Sequence, residues 1–266
     1  MKLPNMLRGV AIAALALLAV APAVHADVLD DLRKAKKIRI AIDFGVPPYG
    51  MTDDKMQPAG SDVDTARALA KDWGVELEIV PTTGASRIPS LQTGKADLVI
   101  STLSVTPERA KVIDFSVPYA TLRTVVAGTK AENVKSLADL NGKTVGTTRG
   151  TTHDTYLQQN AKGAKIVRYE DDATAAQAFV SGQVDLFSTA ELLLAPISAK
   201  NPARNLEMKF VLQAFNLAVG VKKGETKLLE EVNAWIRANL KNGTLNAIYK
   251  KHHGNDLPAE IIQAGG

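Results

Sequence analysis

The segment Ser101-Thr102-Leu103-Ser104-Val105-Thr106-Pro107-Glu108-Arg109 sets hydroxyl side chains just ahead of an arginine. A guanidinium is a planar fork of donors that matches a carboxylate in bidentate geometry. Ser104 and Thr102 can donate to the same oxygens or accept from an amine. A surface arginine after a capped turn would have the same residue types. A second segment, Thr147-Thr148-Arg149-Gly150-Thr151-Thr152-His153-Asp154, reads as a strand end, a glycine turn and a helix start. Helix N-termini expose unpaired N–H groups and a positive dipole end, which suits an anion. Thr151 and Thr152 can serve there as caps or as ligand donors, and His153 alone says little. A third segment, Asp43-Phe44-Gly45-Val46-Pro47-Pro48-Tyr49, brings a carboxylate and two aromatics. Phe44 or Tyr49 can form an apolar wall or pack the loop onto its own lobe. The chemistry these residues suit is recognition of a small carboxylate. No Ser-His-Asp order, phosphate loop or spaced metal-ligand set accompanies them, and His252-His253 lacks further ligands. No cofactor, metal or catalytic residue is expected.

The elements that would position these segments alternate strand and helix. Ile38 to Ile42, Val75 to Val80 and Asp97 to Ser101 are β-rich runs, while Val63, Ala66, Leu69, Ala70 and Trp73 share a helical face. A helix starts at Ile88 and stops at Gly94, Pro107 opens a helical turn, and Thr124 to Ala127 is a strand candidate. A second series has strands at Thr144 to Thr147, Lys165 to Tyr169 and Val184 to Ser188. Its helices run from Thr151 or Thr152 to about Ala161, from Ala173 to Ser181 and from Thr189 to Ala199. Strand-like stretches at Met208 to Leu212 and Leu217 to Val221 follow, then helices at Lys227 to Leu240 and Leu245 to His252. This order predicts an α/β fold of mostly parallel sheets flanked by helices. The C-terminal helices have no sheet of their own, so the chain is expected to leave lobe 1, build lobe 2 and return. That puts lobe 1 at 27–126 plus 216–266 and lobe 2 at 127–215. Two crossings, near Thr124 to Lys130 and Val211 to Val219, would form a hinge beside a cleft.

Composition bounds the partners. Lys2, Arg8, the apolar run Gly9 to Ala23 and the small residues at Val24-His25-Ala26 read as a secretory signal peptide, residues 1–26. The mature chain, about 240 residues long, is large enough for two lobes without disulfides. The net charge of +4 falls toward +2 once Lys2 and Arg8 leave with the signal. Scattered Lys and Arg and 5% aromatic residues argue against a nucleic-acid partner. A monomer in the periplasm is expected.

Six segments in collinear order resemble one family, the bacterial extracellular solute-binding proteins, family 3. They are Gly60-Ser61-Asp62-Val63-Asp64 with the helix face after it, and Arg87 to Asp97. Ser101 to Arg109, continuing to Tyr119, comes next. Val145-Gly146 through Thr152, Gly182-Gln183-Val184-Asp185, and Asn242 to Gly254 complete the set. The resemblance implies a two-lobed, hinge-closing fold that binds small solutes for an ABC importer. It implies that Arg109 pairs with a ligand α-carboxylate, aided by Ser104, Thr102 and the N–H of Thr152, with Ser101 on the same wall. Asp43 stands where the family often contacts a ligand amine or side chain.

Several positions depart from that pattern. Many members place an ammonium-binding aspartate five residues after the position of Asp185, and here that residue is Ala190. Glu191 is adjacent, about 100° round if the segment is helical. Val46 holds a usual aromatic position, and Gly84 replaces a second wall aromatic. Either Asp43 or Glu191 supplies a negative charge, or the solute is not an ordinary α-amino acid. The expected partners are therefore an amino-acid-like carboxylate solute and a membrane permease. A periplasmic dehydratase-like enzyme on the same fold, or a protein that presents its ligand to a membrane sensor, are the alternatives.

Overall fold

The computed structural model describes residues 28 to 263. The signal-peptide expectation lies outside them. The first half of the chain forms α1 (Val28–Ala35), β1 (Lys37–Asp43), β2 (Met51–Thr52), β3 (Pro58–Ala59), α2 (Ser61–Trp73), β4 (Glu76–Thr82), α3 (Arg87–Gln92), β5 (Leu98–Val99), α4 (Pro107–Ala110) and β6 (Ile113–Thr129). The second half forms β7 (Thr144–Thr148), α5 (Thr152–Asn160), β8 (Lys165–Tyr169), α6 (Asp172–Val180), β9 (Leu186–Ala190), α7 (Glu191–Lys200), β10 (Leu206–Lys222), α8 (Thr226–Lys241), α9 (Thr244–His253) and α10 (Ala259–Gln263). Among the described residues no helix is long and apolar enough to cross a membrane.

Eight strands lie in the order β4-β1-β5-β10-β6-β9-β7-β8. At one end β4, β1 and β5 run parallel, and at the other β9, β7 and β8 do the same. Between them the long strands β6 and β10 pair antiparallel from Ile113–Lys222 to Thr129–Leu206. β10 meets β5 at Gly220 and Val221, while β6 meets β9 over Thr124 to Ala127. The same two strands therefore serve both parallel ends. The result is the expected α/β architecture of two lobes joined by two crossings.

Two elements differ from the sequence reading for one reason. The strand-like stretches 208–212 and 217–221 are parts of the single strand β10, and 124–127 is only the last portion of β6. Pro118 and the polar stretch near Asn216 break the local pattern, but long-range pairing carries the ladder through them. The register shifts beside Ala218, which pairs with Pro118, absorb the missing N–H. Thr189 and Ala190 end β9 rather than start a helix, because they pair with Val125 and Thr124 of β6.

Helix packing follows the sequence periodicity. Val63, Ala66, Leu69 and Ala70 of α2 are buried, as are Leu228, Val232, Trp235, Ile236 and Leu240 of α8. They share one core with Ile38, Ile40 and Ile42 of β1. Val145, Leu157 and Leu186 form a core on one face of the other lobe, and Phe179 and Phe187 stack in a core on its opposite face. Each lobe's core fixes where its strands end, and those ends face each other.

Candidate binding cleft

The polar residues lining the cavity between the lobes lie at or beyond the carboxyl ends of parallel strands, where open α/β sheets bind ligands. From lobe 1 come Asp43 at the end of β1, Arg87 after β4, and Thr102 and Ser104 after β5. From lobe 2 come Thr151, Thr152 and His153 after β7, and Asp172 after β8. Val46, Leu122, Ala190 and Leu193 supply apolar surface. They enclose a cavity of about 30 Å³.

The lobe 1 wall is held by buried charge. Arg87, at the start of α3, is 5% exposed. Its Nη1 donates to the carbonyls of Ser101 (2.8 Å) and Thr102 (3.1 Å), and its Nε to that of Gly84 (3.3 Å). Burial draws it below its ordinary pKa. Nη2 has no hydrogen-bond partner among the described residues. Thr102 adopts φ +43, a strained value for a β-branched residue. Its N–H donates to buried Asp62, which also accepts from the Tyr119 hydroxyl, at 3.0 and 2.8 Å. The strained turn is thus fastened from both sides and presents the Thr102 and Ser104 hydroxyls. Neither hydroxyl is hydrogen-bonded among the described residues. The Ser101 hydroxyl instead accepts from the N–H of Asp43 (2.9 Å) and ties β5 to β1 behind the wall.

The lobe 2 wall is a helix start locked by side chains. Thr151 is the N-cap of α5: its hydroxyl accepts from Asp154 N–H (3.2 Å) and donates to the Thr148 carbonyl (2.6 Å). Of the two roles open to Thr151, capping occupies its hydroxyl. Asp154 pairs with Arg168 through both oxygens and accepts from Gly150 N–H. This leaves the Thr152 hydroxyl unbonded among the described residues, with first-turn N–H groups beside it. His153 is 4% exposed, and neither ring nitrogen has a partner among the described residues. A buried polar group without a partner is costly, so a ring so placed suits a ligand group.

Arg109 bridges the lobes. Its Nη1 donates to the Ser104 carbonyl and its Nη2 to that of Gly150, both at 3.0 Å. It borders a second opening of the cleft, together with Thr152, Tyr156 and Phe215, rather than the enclosed cavity. Burial and the nearby Arg87 pull it down to about 9. No carboxylate lies within 4 Å of either arginine among the described residues.

Three expected residues stand elsewhere. Tyr49 turns away from the cleft, because Tyr49 and Gly50 N–H groups both donate to the Val46 carbonyl and close a tight turn. Its hydroxyl donates to Thr121 O (2.8 Å), and its ring packs edge-on against His253. Phe44 packs against the lobe 1 core, and Val46 takes the wall position. Glu191 is paired with Arg123 (2.6 Å), outside the cavity. Helix α7 begins at this residue, so its side chain leaves the direction that Ala190, at the strand end, still shares with the wall. Arg87 and Asp172 line the cavity as well, and neither is among the candidates that the sequence offers. Both sit just beyond a strand's carboxyl end, the signal that singled out Ser104 and Thr152.

His153 gives the first testable consequence. Burial, then the fields of Arg87 and Arg109, bring it from 6.5 to about 3, so it is neutral in the folded protein. The unfolded chain takes up a proton near its ordinary pKa. The stabilisation is therefore full above pH 6.5 and lost as pH falls toward 3. The urea midpoint of wild type is expected to fall more between pH 7 and 5 than that of His153→Gln. Parallel pH slopes for the two proteins would contradict this.

The model of the bacterial extracellular solute-binding proteins, family 3, matches residues 38–255. The chain belongs to that family. As a family 3 member it is 31% identical over 235 residues to the L-cystine-binding protein TcyJ of Escherichia coli (strain K12), covering 86% of this chain and 87% of that one. It is 31% identical to ABC transporter arginine-binding protein 1 of the same organism, over 80% of this chain and 89% of the relative. Among solved structures it is similar to the ancestral amino acid-binding protein AncCDT-1, a precursor of cyclohexadienyl dehydratase. That likeness has a TM-score of 0.76 and 36% identity, over 85% of this chain and 99% of that chain.

Proposed function

We propose that this family 3 protein captures a small amino-acid-like carboxylate between its lobes in the periplasm and delivers it to the permease of an ABC importer. The supporting observation is the pair Arg87 and Arg109: two guanidiniums drawn below their ordinary pKa, flanking a helix start, with no carboxylate within 4 Å among the described residues. A solute carboxylate set against Arg109, the Thr152 N–H and the Ser104 hydroxyl would relieve that repulsion. Asp43, Thr102 and His153 line the rest of the site, and no catalytic step is assigned to them. The cystine- and arginine-binding relatives agree with a solute of this class. The cavity of about 30 Å³ holds only a few waters, so the lobes must part further to admit an amino acid. A solute touching both lobes then favours closure by its differential affinity.

The purified protein is expected to carry its solute. Denaturation followed by mass spectrometry should release a small carboxylic acid in near-stoichiometric amount. A co-purifying sugar, metal complex or polyamine without a carboxylate would sink the proposal.

A further inference from the structure

We infer that Asp172, facing Asp43 across the cleft, holds the ammonium group of the solute, which is therefore an α-amino acid rather than a simple carboxylate. The inference rests on the proposed carboxylate-binding role of the same cleft and adds the second pole of the ligand.

Asp172 is the first residue of α6 and is 8% exposed. One of its oxygens accepts from the Thr148 hydroxyl at 2.8 Å, within its own lobe. The other has no hydrogen-bond partner among the described residues. Asp43, on lobe 1, is arranged alike: Oδ1 accepts from Gly45 N–H at 2.9 Å and Oδ2 has no donor among the described residues. Both line the same cavity, one from each lobe. Arg87 is near enough to influence both electrostatically, yet lies beyond 4 Å from each, so it is not their ion-pair partner. Two carboxylates, each with one oxygen lacking a donor among the described residues, therefore line one cavity.

An ammonium has three N–H donors and can satisfy both oxygens at once. Bonding to both lobes, it would also favour the closed state. His153, with neither ring nitrogen bonded among the described residues, lines the same cavity and can take a remaining ligand group. Ala190 lines this wall too, with only a methyl group to offer. The cavity thus has a cation, Arg87, and two anions, Asp43 and Asp172, in its lining, with Arg109 at the adjoining opening. A zwitterion matches both. Burial raises the Asp172 carboxyl to about 6 and raises Asp43 as well, the state of carboxylates short of a cation. The competing role for Asp172 is long-range counter-charge to Arg87 during closure, with no ligand contact.

Isothermal titration separates these roles. The mature protein is titrated with the twenty common L-amino acids and L-cystine. The tightest binder is then compared with its des-amino analogue and with its decarboxylated amine. Wild type is expected to bind the des-amino acid about 100-fold more weakly than the parent. Asp172→Asn is expected to weaken the parent to a similar degree and leave the des-amino acid within about threefold. A des-amino acid that binds wild type as tightly as its parent overturns the inference, with no need for a variant. So does an Asp172→Asn protein that loses both ligands equally, which is the counter-charge outcome. If no α-amino acid binds, the inference fails, and a des-amino acid that still binds leaves the carboxylate reading standing. A decarboxylated amine as tight as the parent sinks that reading instead.

Discussion

Arg109→Ala is expected to lose most solute binding. The guanidinium sits where both lobes meet, and in the closed cleft it spends two N–H donors on the Ser104 and Gly150 carbonyls. Its other donors are left beside a helix start, whose first N–H groups have no intrahelical partner. Removing Arg109 leaves a desolvated solute carboxylate without its cation. Losing one partner of such a pair costs about 2–5 kcal/mol, or roughly 30-fold to several thousandfold in Kd. Arg109→Lys keeps the charge but cannot reproduce the fork between two carbonyls and a carboxylate, so an intermediate loss is expected. Titration calorimetry with the co-purified solute decides the matter. Unchanged affinity in the alanine variant would remove Arg109 from the site.

The second large effect is predicted for a residue with no side chain. Gly150 has φ +75, and a Cβ there would stand 2.6 Å from Ala85 Cα and 3.0 Å from the Gly84 carbonyl. Both atoms belong to the other lobe's backbone and cannot swing aside. Gly84 is tight in return, with the Arg149 carbonyl 2.9 Å from its ideal Cβ. The glycine at 84 thus admits the lobe 2 turn, and the wall aromatic expected of some relatives would obstruct it. Gly150→Ala should fold, with a loss of about 1 kcal/mol for the left-handed backbone. Closure should suffer far more, and solute affinity is expected to drop about tenfold or further. Gly142→Ala is the control, since Gly142 has the same φ of +75 and, among the described residues, nothing within 4 Å of its ideal Cβ. It shares the backbone strain without the clash. Small-angle scattering with saturating solute should show Gly150→Ala remaining extended where Gly142→Ala closes. Equal solute affinities in the two variants would refute the steric account.

Both predictions depend on residues that differ in how visible they are from the sequence. Arg109 is legible because its context is local: a strand run, hydroxyls, a proline and an arginine within nine positions. Gly150 is legible as a turn, but its contact with Ala85 spans the two lobes and leaves no local trace. Thr151 shows the same limit on a smaller scale. Capping and ligand contact call for the same residue at the same position, and only the bonds to Thr148 and Asp154 decide between them. Tyr49 and Glu191 were candidates by position near a strand end, and each is turned away by one local backbone event, a tight turn and a helix start. Arg87 and Asp172 do not stand out in the sequence, because each occupies an ordinary early-helix position.

The sequence by itself determined the kind of elements, their order, and the strand-end motifs that make Ser104, Arg109 and Thr152 candidates. Periodicity, caps and turns are short-range and act within a few residues. The tertiary structure alone decided that β6 and β10 run unbroken through both ends of the sheet, because ladder bonds to distant strands outweigh a local proline. It also decided which strand ends face one another, and so which charges meet. Arg87, Asp43 and Asp172 line one cavity, and Arg109 borders the opening beside it. That arrangement follows from the packing of two separately built lobes, and no stretch of either lobe contains it.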